Sequence, residues 1–147
     1  MTSLPLNQPI SAHFHSNEFQ CKCDGMYADC PRLFVHALLP VYLEMLRAKY
    51  YAKSGLYVVS GFRCHSYNAA VGGASNSQHK YGTATDISGI ATLDDVRGLG
   101  VFSGIGVDVH GHVVHIDIRH LSLDNTTGSS PSNPAIWHYD ASGKAIG

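Results

Sequence analysis

The stretch GIGVDVHGHVVHIDIR, residues 104–119, constrains the fold more than any other part of the chain. Aliphatic residues alternate with small or polar ones on both sides of His110-Gly111, and glycine there suits a tight turn, so the pattern predicts a β-hairpin. Three more short β-type runs accompany it: LYVVS (56–60), GTATDIS (82–88) and AIWHYD (135–140). Asp29-Cys30-Pro31 reads as a helix start. Leu33, Leu38, Leu39, Tyr42, Leu46 and Tyr50 then recur at roughly helical spacing up to Lys53, and Ser54-Gly55 ends the pattern. Pro40 is expected to kink or split this helix. YNAAVGG (67–73) holds one or two helical turns before its glycines. Thr92 is an expected N-cap, with Asp94 and Asp95 in the first turn of a short helix ending near Gly98. The expected fold is α+β: one domain over residues 1–147, with a long helix packed on a small, mostly antiparallel sheet. Residues 1–30 are its irregular, cysteine-containing arm and 58–119 its motif core.

Hydrophobic residues make up 44% of the chain and charged residues 14%, a composition that builds a packed core. The formal net charge is -1, without a Lys/Arg cluster or acidic block, which argues against a nucleic-acid footprint and against a polybasic membrane patch. The longest apolar run, Leu33 to Leu46, is broken by His36, Pro40 and Glu44, so no membrane insertion is expected. MTSLPLNQPISAHFHSNEF lacks a basic n-region and a continuous apolar h-region, so the expectation is synthesis in the cytoplasm without a secretory signal, as a monomer.

SNSQHKYGTATDI, residues 75–87, sets His79 and Asp86 in a run of Gly, Ser, Ala and Thr that buries little. Period two in the second hairpin strand puts His115 and Asp117 on one face with Val113, and Val114 and Ile116 on the other. Two imidazoles and one carboxylate are three protein ligands for zinc, with a fourth position open for water, as in a catalytic site. The competing reading is a solvated loop histidine, a strand-edge aspartate and a half-buried histidine.

SGFRCHSYNAAVGGASNSQHKYGTATDI (60–87) followed by VVHIDIR (113–119) resembles the zinc D-alanyl-D-alanine carboxypeptidase family, bacterial and phage peptidases that cut the peptide part of peptidoglycan. The family pattern reads approximately Ser-Gly-[aromatic]-Arg, Tyr-Asn-x-x-Val-Gly-Gly, Ser-x-His-x-x-Gly-x-Ala-x-Asp, then Val-His-[aliphatic]-Asp. The likeness covers about residues 58–119; AIWHYD is similar to the family's closing aromatic strand, and Glu18–Cys23 to a segment of some members. The Hedgehog signalling domain is similar in architecture.

The resemblance implies zinc (Zn2+) held by His79, Asp86 and His115. It implies that Arg63 grips a carboxylate or carbonyl of the substrate, for which its forked donors suit it. Ser77 and Gln78 would contact substrate or orient ligands, and Tyr81 would do so or pack. Asp117 would either accept a hydrogen bond from a ligating imidazole or join a cross-strand salt bridge. Gly72, Gly73 and Gly82 would serve backbone geometry. The sequence departs from the pattern three residues before the last ligand, where many relatives carry Glu or Asp and this chain has His112. Imidazole can serve there as general base, with His110 as a neighbour that substitutes or assists.

The implied function is zinc-dependent hydrolysis of an amide bond in peptidoglycan stem peptides, as a D,D-carboxypeptidase or as an endopeptidase of the endolysin kind. The alternative is a non-catalytic, zinc-containing binding module on the same fold. A serine nucleophile elbow, a phosphate-binding loop and a His-Glu-x-x-His helix are all absent from the sequence.

Cys21, Cys23, Cys30 and Cys64 pose a separate question. They make either a closed structural metal site or two disulfides. In both cases they tie the N-terminal arm to the strand that leads to Arg63.

Overall fold

The computed structural model describes residues 8–123 and 128–146. Its elements run in the order α1 (Leu38–Tyr50), β1 (Val58–Ser60), α2 (His65–Ala70), β2 (Ala84–Ile87), α3 (Leu93–Leu99), β3 (Gly104–Val107), β4 (Val113–Asp117) and β5 (Ala135–His138). Short 3-10 turns occupy Ser16–Glu18, Gln78–Tyr81 and Arg119–Leu121. The loop at 119–134 is described except for residues 124–127.

The hairpin forms as the alternation predicts, from β3 and β4 with Gly111 at φ 82 in its turn. The pairing contains a β-bulge. Gly106 faces His115 while Val107 faces Val113, so β4 carries one extra residue, Val114. The bulge resets the alternation. Val113 joins Ile116 in the core, and Val114 lines the cavity beside His115. Strict period two, which grouped Val113 with His115, fails at this point.

The strands lie in the order β1-β2-β4-β3-β5. Pairings β1/β2, β2/β4 and β3/β4 are antiparallel, and β3/β5 is parallel. The sheet is therefore mixed, not mostly antiparallel. A tight turn forces neighbouring strands to run in opposite directions, whereas the long segment between β4 and β5 lets the last strand enter alongside β3 in the same direction.

The long helix expected from Pro31 to Lys53 is shorter: α1 has 13 residues. The preceding segment spends its backbone hydrogen bonds on tertiary partners, Cys21 N to Arg32 O at 2.8 Å and His36 N to Gly82 O at 2.9 Å. Arg32 also takes φ 75, which helix excludes. Pro40 neither kinks nor splits α1. It occupies the first turn, where its missing N–H would have had no helical partner. The start is capped by the His36 ring, whose Nδ1 accepts from Leu38 N at 3.1 Å. The N-cap of α3 is Thr92, as expected, with Asp95 completing a capping box, and the helix runs past Gly98 to end at Gly100.

Leu39, Leu43 and Leu46 of α1 and Val96 of α3 meet Ile87, Ile105, Val113 and Ile116 of the sheet to form the core. Phe14 and Phe19 bring the N-terminal arm into it. Glu44 of α1 also holds the arm, accepting from Ser11 Oγ at 2.6 Å and His13 N at 2.7 Å. Among the described residues no helix is long and apolar enough to cross a membrane.

Tyr51, fully buried at the end of α1, donates to Ser88 O at 2.7 Å and accepts from Ile90 N and Ala91 N at 3.2 Å. Tyr51→Phe would leave these backbone groups unpaired in the core. It is expected to cost about 1–3 kcal/mol, read as a lower urea midpoint. An unchanged midpoint would show that water reaches these groups.

Candidate metal centre

His79 sits in the 3-10 turn Gln78–Tyr81, which Ser77 caps by accepting from His79 N. Gly82 ends the turn at φ 70, and a Cβ there would collide with the Phe34 carbonyl, so glycine is required on two grounds. The chain then enters β2, where Asp86 pairs directly with His115 of β4. Cross-strand partners in this register project to the same face, and the cavity, about 1170 Å³, opens over them.

The three side chains converge. His79 Nε2 lies 3.2 Å and His115 Nδ1 3.1 Å from the same oxygen, Asp86 Oδ1. One ligand atom from each residue lies within 4.8 Å of the other two. A tetrahedron with metal–ligand bonds of about 2.0 Å has edges of about 3.3 Å, close to the two distances seen here.

The opposite ring nitrogens are already engaged. Gly61 O can only accept, so His79 Nδ1 carries the proton of their 2.7 Å bond. A neutral His79 then presents the Nε2 lone pair to a carboxylate oxygen, and the two repel unless a cation, a proton or a metal ion, lies between them. His115 repeats the pattern, with Nε2 2.8 Å from Asp117 Oδ2. These residues fit a zinc ion.

The electrostatics agree. Burial alone would lower the His115 pKa, but its hydrogen bonds to Asp117 and then Asp86 outweigh it and push it up to about 9. Burial opposes the charge on Asp86, yet hydrogen bonds from His115 and His79 hold it far below the usual carboxylate range. Asp117 is held low in the same way, by Arg119 and then His115. The centre is built to keep carboxylates ionised beside a positive charge.

Arg63 stands against the ligands, with Nη2 3.1 Å from Asp86 Oδ2, Nη1 3.2 Å from Asn68 Oδ1 and Nε 3.4 Å from Ser60 Oγ. Asp117 makes the imidazole contact, while its salt bridge is local, to Arg119 two residues on, and not cross-strand. That salt bridge is forked, with Arg119 Nε at 2.9 Å and Nη2 at 2.7 Å. Ser77 and Gln78 line the cavity, although Gln78 is buried and its Oε1 accepts from Thr83 Oγ1 at 2.8 Å. His110 is exposed on the cavity wall. His112 is half-buried, with its backbone N–H bonded to Asp108 Oδ1 at 2.9 Å, and it is not among the described residues of that wall.

Three residues escaped sequence reasoning. Arg119 clamps Asp117, Trp137 of β5 packs its ring 4.8 Å from that of His115, and Asn68 steadies Arg63. Arg119 and Asn68 lie inside the quoted motifs, and Arg119 follows Asp117 at the strand period. Trp137 lies in AIWHYD, but nothing local marked its packing on His115, because that partner is set by the direction of β5.

The four cysteines form a second cluster, with their sulfurs within 4.8 Å of one another and no disulfide. Comparison with curated proteins finds no match. A family model described as Peptidase M15 matches residues 12–117, more than half of the 147 residues and inclusive of His79, Asp86 and His115. The chain therefore belongs to the peptidase M15 family of zinc-dependent peptidases.

Proposed function

We propose that the His79–Asp86–His115 centre hydrolyses an amide bond in the peptide part of bacterial peptidoglycan, acting as a monomer on the cell wall in the manner of an endolysin or a D,D-carboxypeptidase. The observation that carries this reading is the convergence of three ligand atoms at the cavity floor, with their other ring nitrogens already hydrogen-bonded. Zinc would be held by His79 Nε2, Asp86 and His115 Nδ1, and supplies Lewis-acid chemistry that polarises the carbonyl and acidifies water. The substrate class rests on the likeness of 60–87 and 113–119 to the D-alanyl-D-alanine carboxypeptidases.

The chain's own residues do the rest. Arg63, pinned from three sides, presents a fixed positive charge where the carbonyl oxygen or a terminal carboxylate of the substrate comes to lie. Gly61 and Asp117 hold the two imidazoles in one tautomer each, so the ligand nitrogens face inward. Trp137 shields His115. The proton of the attacking water passes to a histidine of the β3–β4 turn and from there to the leaving amine. His112 occupies the motif position for this role, and the cavity wall favours His110.

Mass spectrometry of purified peptidoglycan fragments tests the reading. New fragments formed by the zinc-loaded protein support it, and their masses name the bond. Intact fragments from several wall chemotypes would point to the binding module instead. In the same assay His110→Ala is expected to lower kcat by about 10²–10⁴-fold with zinc content unchanged. That loss in His112→Ala instead would return the role to His112, and full rates in both variants would remove the turn histidines from the mechanism.

A further inference from the structure

The cysteine cluster lies outside the chemistry described above, yet it shares a segment with it. We propose that Cys21, Cys23, Cys30 and Cys64 bind a second zinc ion in a closed tetrathiolate site, and that this ion fixes the 61–64 segment that builds the first centre.

The sulfurs converge from two distant parts of the chain to within 4.8 Å of one another, and three of the four cysteines are buried. A disulfide joins each sulfur to one partner at about 2.05 Å, and two such bonds give no reason for four sulfurs to meet at one point. A tetrahedral ion gives that reason. Backbone N–H groups point at three of the sulfurs: Cys64 N at Cys21 Sγ, 3.3 Å, Arg32 N at Cys30 Sγ, 3.3 Å, and Tyr67 N at Cys64 Sγ, 3.4 Å. Such donors orient the sulfurs toward a common point, as hydrogen-bonded groups around a metal orient its ligands. Asp24 and Arg32 both take positive φ, 52 and 75, to turn the chain around the cluster. That conformation is costly for side-chain-bearing residues and persists where surrounding structure demands it.

The link to the first centre is direct. Gly61 O accepts from His79 Nδ1, Arg63 N donates to His79 O at 3.0 Å, and the Arg63 side chain reaches Asp86. The next residue is Cys64, whose sulfur belongs to the cluster and caps α2. Phe62 N donates to Phe19 O at 2.8 Å, which ties the same segment to the arm carrying Cys21 and Cys23. One short stretch thus carries a ligand of the second ion at one end and the hydrogen-bond support of the first at the other. The arm keeps its other anchors, Phe14, Phe19 and Glu44, when the cysteine site is empty, so loss of the ion should loosen the segment without detaching the arm.

The test uses the full chain. Metal analysis of the wild type should give two zinc ions, and alkylation after denaturation with chelator should count four thiols. The His79→Ala, His115→Ala double variant should retain one ion and, loaded with cobalt, show intense sulfur-to-cobalt charge-transfer absorption. Cys23→Ser should lose that absorption and hold zinc at the His/Asp centre about 10–100-fold more weakly. One ion in the wild type with cysteines blocked as disulfides, or no charge-transfer band, would overturn the site. Undiminished affinity at the His/Asp centre of a folded Cys23→Ser would overturn the coupling. If Cys23→Ser does not fold, the wild-type and double-variant spectra decide the site, and zinc titration of Cys30→Ser, at the half-buried ligand, decides the coupling. Absence of peptidoglycan cleavage with the band present refutes the proposed substrate and leaves this site standing.

Discussion

His115→Ala should empty the first centre and lower hydrolysis by about a thousandfold or more, the equivalent of several kcal/mol of lost transition-state stabilisation. The size of the effect follows from position. His115 offers one of the three candidate ligand atoms, its ring is buried, and no described histidine stands near enough to Asp86 to replace it other than His79, already used. Metal analysis and fragment mass spectrometry on the same sample check both halves of the expectation. A variant that keeps wild-type turnover would remove the triad from the chemistry. The same geometry sets a pH dependence. In the metal-free protein the His115 pKa is raised to about 9, so zinc must displace a proton below that pH. Measured zinc affinity should therefore rise with pH, roughly tenfold per unit, and level off near the raised pKa. Titration calorimetry in buffers of different ionisation enthalpy reads the released proton directly. An affinity independent of pH between 6.5 and the raised value would show that His115 is neutral before the metal arrives.

Asp117→Ala should be the most damaging change outside the ligands. Its carboxylate is fully buried between His115 and the Arg119 fork. Removing one member of such a pair leaves the other charge uncompensated, at a cost of about 3–5 kcal/mol. It also frees the His115 ring to turn, for a loss of about 10–100-fold in zinc affinity. Gly104→Ala should produce the same phenotype in milder form, because a Cβ at Gly104 would overlap the Asp117 carboxylate from β3. Urea unfolding and zinc titration of both variants test this. The sign with pH is fixed: the Asp117 pKa is depressed in the fold. Its contribution is present above the unfolded carboxylate value of about 3.9 and is lost as pH falls below it. If Asp117→Ala keeps both its stability and its zinc, Asp117 has no role in holding His115.

Much of this architecture was legible one residue at a time. The hairpin announced itself by alternation and a glycine turn, and the cap of α3 by Thr92 and its acidic first turn, because these features are decided by contacts a few residues apart. The candidate metal ligands were named through motif likeness and not through spacing, since a histidine and an aspartate seven positions apart have many other uses. Once β2 and β4 pair, their register sets Asp86 directly against His115.

Other features depend on partners far along the chain. The bulge that moves Val113 into the core arises from the pairing with Val107, and nothing local marks Val114 as the extra residue. The parallel course of β5, which brings Trp137 onto His115, depends on how a long loop returns. α1 starts late because Arg32 and His36 bond to Cys21 and Gly82, contacts that helical periodicity does not register. The four cysteines were visible as residues, but their meeting at one point required the arm to fold back on Cys64. By itself the sequence determined the element types and the turns, set by local backbone preference, and named the candidate ligand side chains through motif likeness. Only the tertiary structure decided strand direction, register at the bulge, the Arg119 clamp and which histidine faces the cavity, because each of these is a contact between residues that the chain itself holds far apart.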